Sequence, residues 1–254
     1  MVDIKISFLA SEELFAKEES EKLVEKYGNS ELVSADIIVA LGGDGFMLRT
    51  LHETQDLGLP VYGMNYGTIG FLMNEFSEDS LLQRLQKAEE TIINPLHMIA
   101  NCKDGQVLTA LAINEVSLIR SSAQAAKLKV FIDGKERINE LVCDGALVST
   151  PAGSTAYNYS AHGPILPINA DVLALTAMAA YRPRRWRGAV LSSDSKIFFE
   201  TLENDKRPVS AVADSTEVEN VLNVTIQSEK KIRHRLLFDP GHGLQERLIS
   251  EQFI

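Results

Sequence analysis

Asp44 stands in the run Gly42-Gly43-Asp44-Gly45, directly after the apolar stretch Ile37–Leu41. The apolar stretch reads as a buried strand, and a helix is expected to follow from about Phe46. Gly42, Gly43 and Gly45 carry no Cβ, so the turn is expected to use left-handed angles and to bring backbone N–H groups close to an anion. A loop that only cradles phosphate gains nothing from a carboxylate. Asp44 therefore points to deprotonation of a hydroxyl, or to holding a metal beside the phosphate. The competing reading is a strand-to-helix turn in which Asp44 caps the helix.

Two further clusters carry polar chemistry. Asn114-Glu115 interrupts an apolar run that resumes at Val116, and it offers donors and acceptors suited to a ribose or the edge of an adenine. A bulge or strand end with solvated side chains is the alternative. The second cluster runs from Asp144 to Tyr157 and sets Ser154 and Thr155 after Gly153, just before an expected helix through Tyr157 and Ser160. Its hydroxyl and backbone donors suit an anion, and a capped helix start is the alternative. A third segment, 181–187, concentrates four arginines around Trp186 in an otherwise acidic chain. Arginine forks suit phosphate, and Trp186 is a candidate to stack on a base or a guanidinium, against a solvated basic loop or a subunit contact. The five histidines have no ligand spacing, and none is assigned to a metal.

These residues need elements to position them. Up to about residue 95, strand and helix signals alternate: extended at 4–9, 36–41 and 60–65, helical at 12–27, 46–57 and 79–88. Such alternation predicts an α/β layer with parallel strands and binding sites at their carboxyl ends, where Asp44 falls. Beyond Pro95 short β-rich runs take over, at 106–119, 127–132, 146–149, 188–191 and 221–227, and Asp133-Gly134 signals a hairpin. From 241 the pattern turns helical again and is expected to return to the first domain. The net charge of −10 argues against nucleic acid as an overall partner. Cys102 and Cys143 lack CxxC spacing, which predicts neither a disulfide framework nor a zinc site and fits a reducing cytoplasm. The N-terminal apolar run is too short for a signal peptide, and no segment has the length to span a bilayer, so a soluble cytoplasmic protein is expected.

The order and spacing of Gly42-Gly43-Asp44-Gly45, Asn114-Glu115 and Gly153-Ser154-Thr155-Ala156-Tyr157 resemble the signature of bacterial NAD kinases. That family phosphorylates the adenosine ribose 2′-hydroxyl of NAD to give NADP. The resemblance extends to Leu244-Gln-Glu-Arg-Leu, which is similar to the family's closing helix. GGDG alone is shared with diacylglycerol and sphingosine kinases and with 6-phosphofructokinases; the three motifs together are more selective. The resemblance implies a Rossmann-like α/β N-terminal domain with a parallel sheet (1–95 plus 238–254), a mostly β C-terminal domain (96–237) that binds NAD, a C-terminal segment returning to the first, and a nucleotide site in the cleft between them.

By the same resemblance Asp44 is the general base, and the amides of Gly42, Gly43 and Gly45 hold the phosphates of ATP, or of inorganic polyphosphate. A divalent cation, expected to be Mg²⁺, is held mainly by those phosphates. Asn114 and Glu115 contact the adenosine of NAD, Gly45 adjoins it, and Phe71 packs on the adenine. Thr155 and Ala156 line the adenine pocket, which Tyr157 and Ser160 complete. Asp144 serves the nicotinamide end, from a neighbouring subunit of a homodimer or homotetramer. Arg49, Asp214, Arg184 and Arg185 are weaker candidates, the last two for the product 2′-phosphate or a polyphosphate donor. The chain departs from the family at Ala152, often Thr, and at Asp214-Ser215, commonly Asp followed by Gly or His. A lipid or sugar kinase with the same glycine loop, and an NAD(P)-binding sensor without activity, are the rival readings.

Overall fold

The computed structural model describes residues 4–66, 70–251 and 253. Gly67, Thr68 and Ile69, shortly before Phe71, lie outside the described residues. The chain divides into two compact units, residues 1–93 with 232–254, and residues 94–231.

In the first unit β1 (Ile6–Ala10), α1 (Leu14–Tyr27), β2 (Ile37–Leu41), α2 (Asp44–Glu53) and β3 (Pro60–Asn65) alternate as expected, and the three strands pair in parallel. Ile38, Val39 and Ala40 are fully buried, as a strand covered on both faces requires. Gly28 ends α1 at φ 77°, with its N–H returned to the carbonyl of Val24, an exit for which a residue with Cβ would be strained. Then come β4 (Asn74–Glu75), α3 (Leu81–Lys87) and β5 (Glu89–Ile93).

The second unit is a pair of six-stranded antiparallel sheets. Its strands are β6 (Leu96–Cys102), β7 (Val107–Ala112), β8 (Glu115–Arg120), β9 (Ala126–Ile132), β10 (Lys135–Cys143) and β11 (Gly145–Ser149), then, after the short α4 (Tyr157–Ser160), β12 (Val172–Met178), β13 (Gly188–Ser192), β14 (Ile197–Thr201), β15 (Val209–Ala213), β16 (Thr216–Val218) and β17 (Val221–Ser228). One sheet runs β10-β9-β14-β17-β6-β7 and the other β13-β12-β11-β8-β15-β16. Leu96, Val130, Phe199 and Val224 from the first meet Val116, Leu118, Val148, Leu175 and Ala211 from the second in one core. The β9–β10 hairpin turns at Asp133 and Gly134, both at positive φ, as the Asp-Gly signal requires. The extended run expected over 106–119 is two strands in different sheets; the chain changes sheet at Ile113 and Asn114.

The return to the first unit starts with a strand. β18 (His234–Phe238) lies parallel to β3 and antiparallel to β5, so the unit boundary falls after residue 231 and not after 237 as the sequence suggested. Asp239 then anchors the segment: it accepts Nε and Nη2 of Arg84 (3.1 and 2.6 Å) and the hydroxyl of Tyr62 (2.7 Å), and its N–H donates to Asn74 Oδ1 (2.9 Å). Burial, and then the bond to Asp239, push the Tyr62 hydroxyl above its ordinary pKa. α5 (Leu244–Glu251) closes the unit. Among the described residues no helix is long and apolar enough to cross a membrane.

Candidate active site

The glycine loop sits at the carboxyl end of β2, and α2 begins at Asp44 itself, earlier than expected. None of the three glycines has positive φ, which corrects the expectation of left-handed angles. Space explains them instead. A Cβ on Gly42 would stand 2.9 Å from Cβ of Phe46, whereas at Gly43 and Gly45 it would meet nothing within 4 Å. Those two positions leave the approach to the first turn of α2 open, where backbone amides have no partner within the helix.

Asp44 does not cap its own helix. Its Oδ2 accepts the N–H of Phe71 (2.8 Å) and its Oδ1 that of Leu72 (2.9 Å). A carboxylate oxygen has two lone-pair sites, so each keeps one for other partners. The same turn is gripped from its other side by Arg247 of α5. Nη1 of Arg247 donates to the carbonyls of Gly70 (2.6 Å), Phe71 (3.2 Å) and Met73, and Nε to that of His242 (3.0 Å), while the guanidinium lies 5.4 Å from the Phe238 ring centroid. Burial lowers the Arg247 pKa, and the negative charge of Asp44, then that of Asp239, opposes it. Asp44 and Phe71 are thus positioned by one clamp. Arg247→Ala is expected to strand these carbonyls, lowering the melting temperature by several degrees, the counterpart of about 1–3 kcal/mol. Turnover is expected to fall roughly tenfold, with Arg247→Lys between the two; unchanged kcat and Tm would remove the positioning role.

In the second unit the switch between sheets presents Asn114 and Glu115. Asp214, in the β15–β16 turn at φ 48°, accepts the N–H groups of Ile113 (2.7 Å), Asn114 (3.0 Å) and Glu115 (3.4 Å), and its own N–H donates to the Glu115 carbonyl (3.2 Å). Thr150 Oγ1 lies 2.7 Å from the carbonyl of Ile113 and 3.2 Å from that of Asn114, and it accepts the N–H of Gly153 (3.0 Å). Gly153 lies directly on Asn114, whose backbone a Cβ would meet at 2.3–2.5 Å.

Glu115 is distinctive electrostatically. Burial, then the charge of Asp214, push its carboxyl up to about 7 against the N–H of Tyr157, and Oε2 is buried without a hydrogen-bond partner. Between the ordinary carboxylate range and about pH 7 the folded protein holds a proton that the unfolded chain has released, so stability falls as pH rises through that window. Glu115→Gln is expected to lack that decline and to gain on the wild type by a few kcal/mol above pH 7, at about 1.4 kcal/mol per pKa unit. Parallel Tm–pH curves for the two proteins would refute this.

The remaining candidates are placed as follows. Thr155 and Ala156 are half-buried, and Tyr157 and Ser160 exposed, on a 3-10 turn (Ala152–Thr155) and the one-turn α4. Ser154 is fully buried, donating to the Pro151 carbonyl (2.7 Å) and accepting the N–H of Leu166 (3.0 Å), so its hydroxyl is structural and not an anion donor as the sequence suggested. Asn158 braces the segment: Nδ2 donates to the carbonyls of Ser154 and Pro164 (3.0 and 2.9 Å), and Oδ1 accepts the Thr176 hydroxyl (2.7 Å). Asp144 pairs with Arg120 Nε at 2.7 Å. Arg49 lies over the Phe46 ring at 5.0 Å and 3.8 Å from Glu53 on α2. Arg184 and Arg185 are exposed, and the half-buried Trp186 packs against the sandwich core. The roles of Thr150, Gly153 and Arg247 escaped the sequence reading. A lone arginine in the otherwise apolar spacing of Leu244, Arg247 and Leu248 was the available signal for the last.

Family models for the ATP-NAD kinase N-terminal domain and the ATP-NAD kinase C-terminal domain match residues 5–92 and 113–232. The chain belongs to the NAD kinase family. It is 61% identical to an NAD kinase of Cereibacter sphaeroides over the whole of both chains, and 53% identical to that of Hyphomonas neptunium over 100% of this chain and 99% of the other. The fold is also that of solved family members: the NAD kinase of Archaeoglobus fulgidus in complex with ATP (TM-score 0.77, 24% identity, 98% of each chain) and yeast NADH kinase complexed with NADH (TM-score 0.78, 20% identity, 98% of this chain and 87% of that one). The protein is an NAD kinase enzyme, with the family's parallel α/β domain and antiparallel β domain.

Proposed function

We propose that the protein transfers a phosphoryl group from ATP, with inorganic polyphosphate as the alternative donor, to the adenosine ribose 2′-hydroxyl of NAD, with Asp44 as the general base. The observation that carries this reading is the pairing of an open first helical turn at Gly43 and Gly45 with a carboxylate held by two backbone amides. A ribose hydroxyl is a poor nucleophile at neutral pH, and a fixed carboxylate can take its proton as the new phosphorus–oxygen bond forms. The amides of Gly43 and Gly45 hold the donor's phosphates; that of Gly42 donates to the Met64 carbonyl (3.1 Å), which corrects its assignment to the phosphates. Phe71, tethered to Asp44, packs on the adenine whose ribose reacts.

Asn114 and Glu115 read the adenosine, Glu115 as a neutral carboxyl that donates a hydrogen bond below about pH 7. Thr155, Ala156, Tyr157 and Ser160 line the adenine seat, Asp214 holds the Asn-Glu corner, and Asp144 serves the nicotinamide end in a homodimer or homotetramer. Arg184 and Arg185, exposed, are assigned to a phosphate of product or polyphosphate. A divalent cation would be carried mainly by the nucleotide phosphates, and Asp44, whose two carboxylate oxygens each keep a free lone pair, is the residue of the loop that would serve it. Such a Mg²⁺ ion would supply charge compensation on the transferred group.

Incubation with NAD, ATP and Mg²⁺ tests the reading: NADP should accumulate. No NADP above an enzyme-free control, with NAD still bound, would favour a sensor instead.

A further inference from the structure

Asn74 has no role in the scheme above, yet the turn beside Asp44 rests on its side chain. It is 1% exposed and opens β4, directly after residues 70–73, which carry the two N–H groups donated to Asp44. Nδ2 donates to the carbonyls of Gly63 in β3 and Leu237 in β18, both at 3.0 Å, and Oδ1 accepts the N–H of Asp239 at 2.9 Å. Both amide hydrogens and the carbonyl oxygen are in use.

The sheet explains why an amide is needed there. β3 pairs with β18 from Pro60 to Tyr62 and with β4 at Met64 and Asn65, so Gly63 falls where one parallel partner gives way to the other. Carbonyls at such a fork lose their ladder partners, and a buried carbonyl without a donor is costly. Asn74 serves both sides of the fork with one side chain.

The turn is also registered on Gly63. Met73, fully buried, shares with Met47 of α2 the space that a side chain on Gly63 would need: a Cβ there would stand 2.6 Å from Met47 Cε and from Met73 Sδ. Met47 lies about one turn along α2 from Asp44. At the other end of the turn Gly70 lies directly against the carboxylate, where a Cβ would stand 2.2 Å from Asp44 Oδ1. Helix and turn therefore share one reference point, and a turn that slips redirects the carboxylate it holds.

We propose that Asn74 is a positioning residue for phosphoryl transfer: it fixes the 70–73 turn on β3 and β18 and, through the N–H groups of Phe71 and Leu72, sets the carboxylate of Asp44. The proposal rests on the reading of Asp44 as the general base. Asn74→Ala should lower kcat about 10- to 100-fold, the scale for a misplaced catalytic group, and leave KM for ATP nearly unchanged, because the amides of Gly43 and Gly45 are not part of the turn. The deciding measurement is a double-mutant cycle with Asp44→Asn. In that background no base is left to position, so Asn74→Ala should cost at most about twofold more. Asn74→Thr, whose hydroxyl replaces one donation and the acceptor, should show a smaller loss with the same pattern, and it carries the cycle if the alanine variant does not fold. Leu23→Ala, a truncation on the buried face of α1, is the control: it should lower Tm and leave kcat nearly unchanged. An unchanged kcat in the Asn74 variants, or an equal fall with and without the Asp44 carboxylate, would overturn the proposal. Failure of the general-base reading looks different: Asp44→Asn alone would keep the wild-type kcat.

Discussion

Replacing Asp44 by asparagine is expected to lower turnover by about 10²–10⁴ while NAD remains bound, the usual scale for loss of a general base. Asparagine is nearly isosteric, but it has one acceptor oxygen where Asp44 uses two. Either Phe71 N–H or Leu72 N–H would then face an amide NH₂ and lose its acceptor, at roughly 1–3 kcal/mol. The variant therefore removes the base and loosens the turn that carries Phe71. The two effects separate in the measurements: loss of the base lowers kcat, whereas loosening of Phe71 raises the dissociation constant of NAD. A modest rise in that constant, beside a large fall in kcat, is the expected result. An unchanged kcat would contradict the assigned role, and a lower Tm with full activity would reduce Asp44 to a structural clamp.

The clamp was the part of this site that the sequence could not show. The GGDG run announced a loop at a strand end, because apolar periodicity and glycine punctuation are local signals. Why the glycines are there was not local. Their angles are ordinary, and what matters is the ring of Phe46 beside Gly42 and the open approach at Gly43 and Gly45. The partners of Asp44 lie 27 and 28 residues away, and Arg247 reaches Gly70 across 177 residues. No periodicity encodes pairings of that separation. β18 was missed for the same reason: His-Arg-Leu-Leu-Phe has no alternation of its own, and becomes a strand because β3 and β5 each leave an edge for it. In the β domain the Asp133-Gly134 hairpin was legible from two residues. The break between β7 and β8 was not, since the extended signal runs through Ile113 and Asn114 while the chain passes from one sheet to the other.

That break underlies the second large effect. Gly153→Ala is expected to weaken NAD binding by at least tenfold and to lower the melting temperature by several degrees. On backbone grounds the change should help, because Gly153 is not in the left-handed region and alanine in place of glycine gains roughly 0.5–1 kcal/mol. Space decides the sign. The new methyl would lie 2.3 Å from the Asn114 carbonyl oxygen and 2.4 Å from its Cα, against backbone that has little freedom to yield. Asn114 is tied by the Thr150 N–H (2.9 Å) and hydroxyl on its carbonyl and by Asp214 on its N–H. Relief must come from moving the Ala152–Thr155 turn away, or from tearing Asn114 from Asp214, and overpacking of this kind costs about 1–3 kcal/mol or more. Either movement separates Asn114 and Glu115 from Thr155 and Ala156. Titration of NAD into the variant, with Tm measured alongside, reads both effects. An affinity within twofold of wild type would mean that the Asn-Glu corner and the Gly-Ser-Thr turn do not act on the same adenosine.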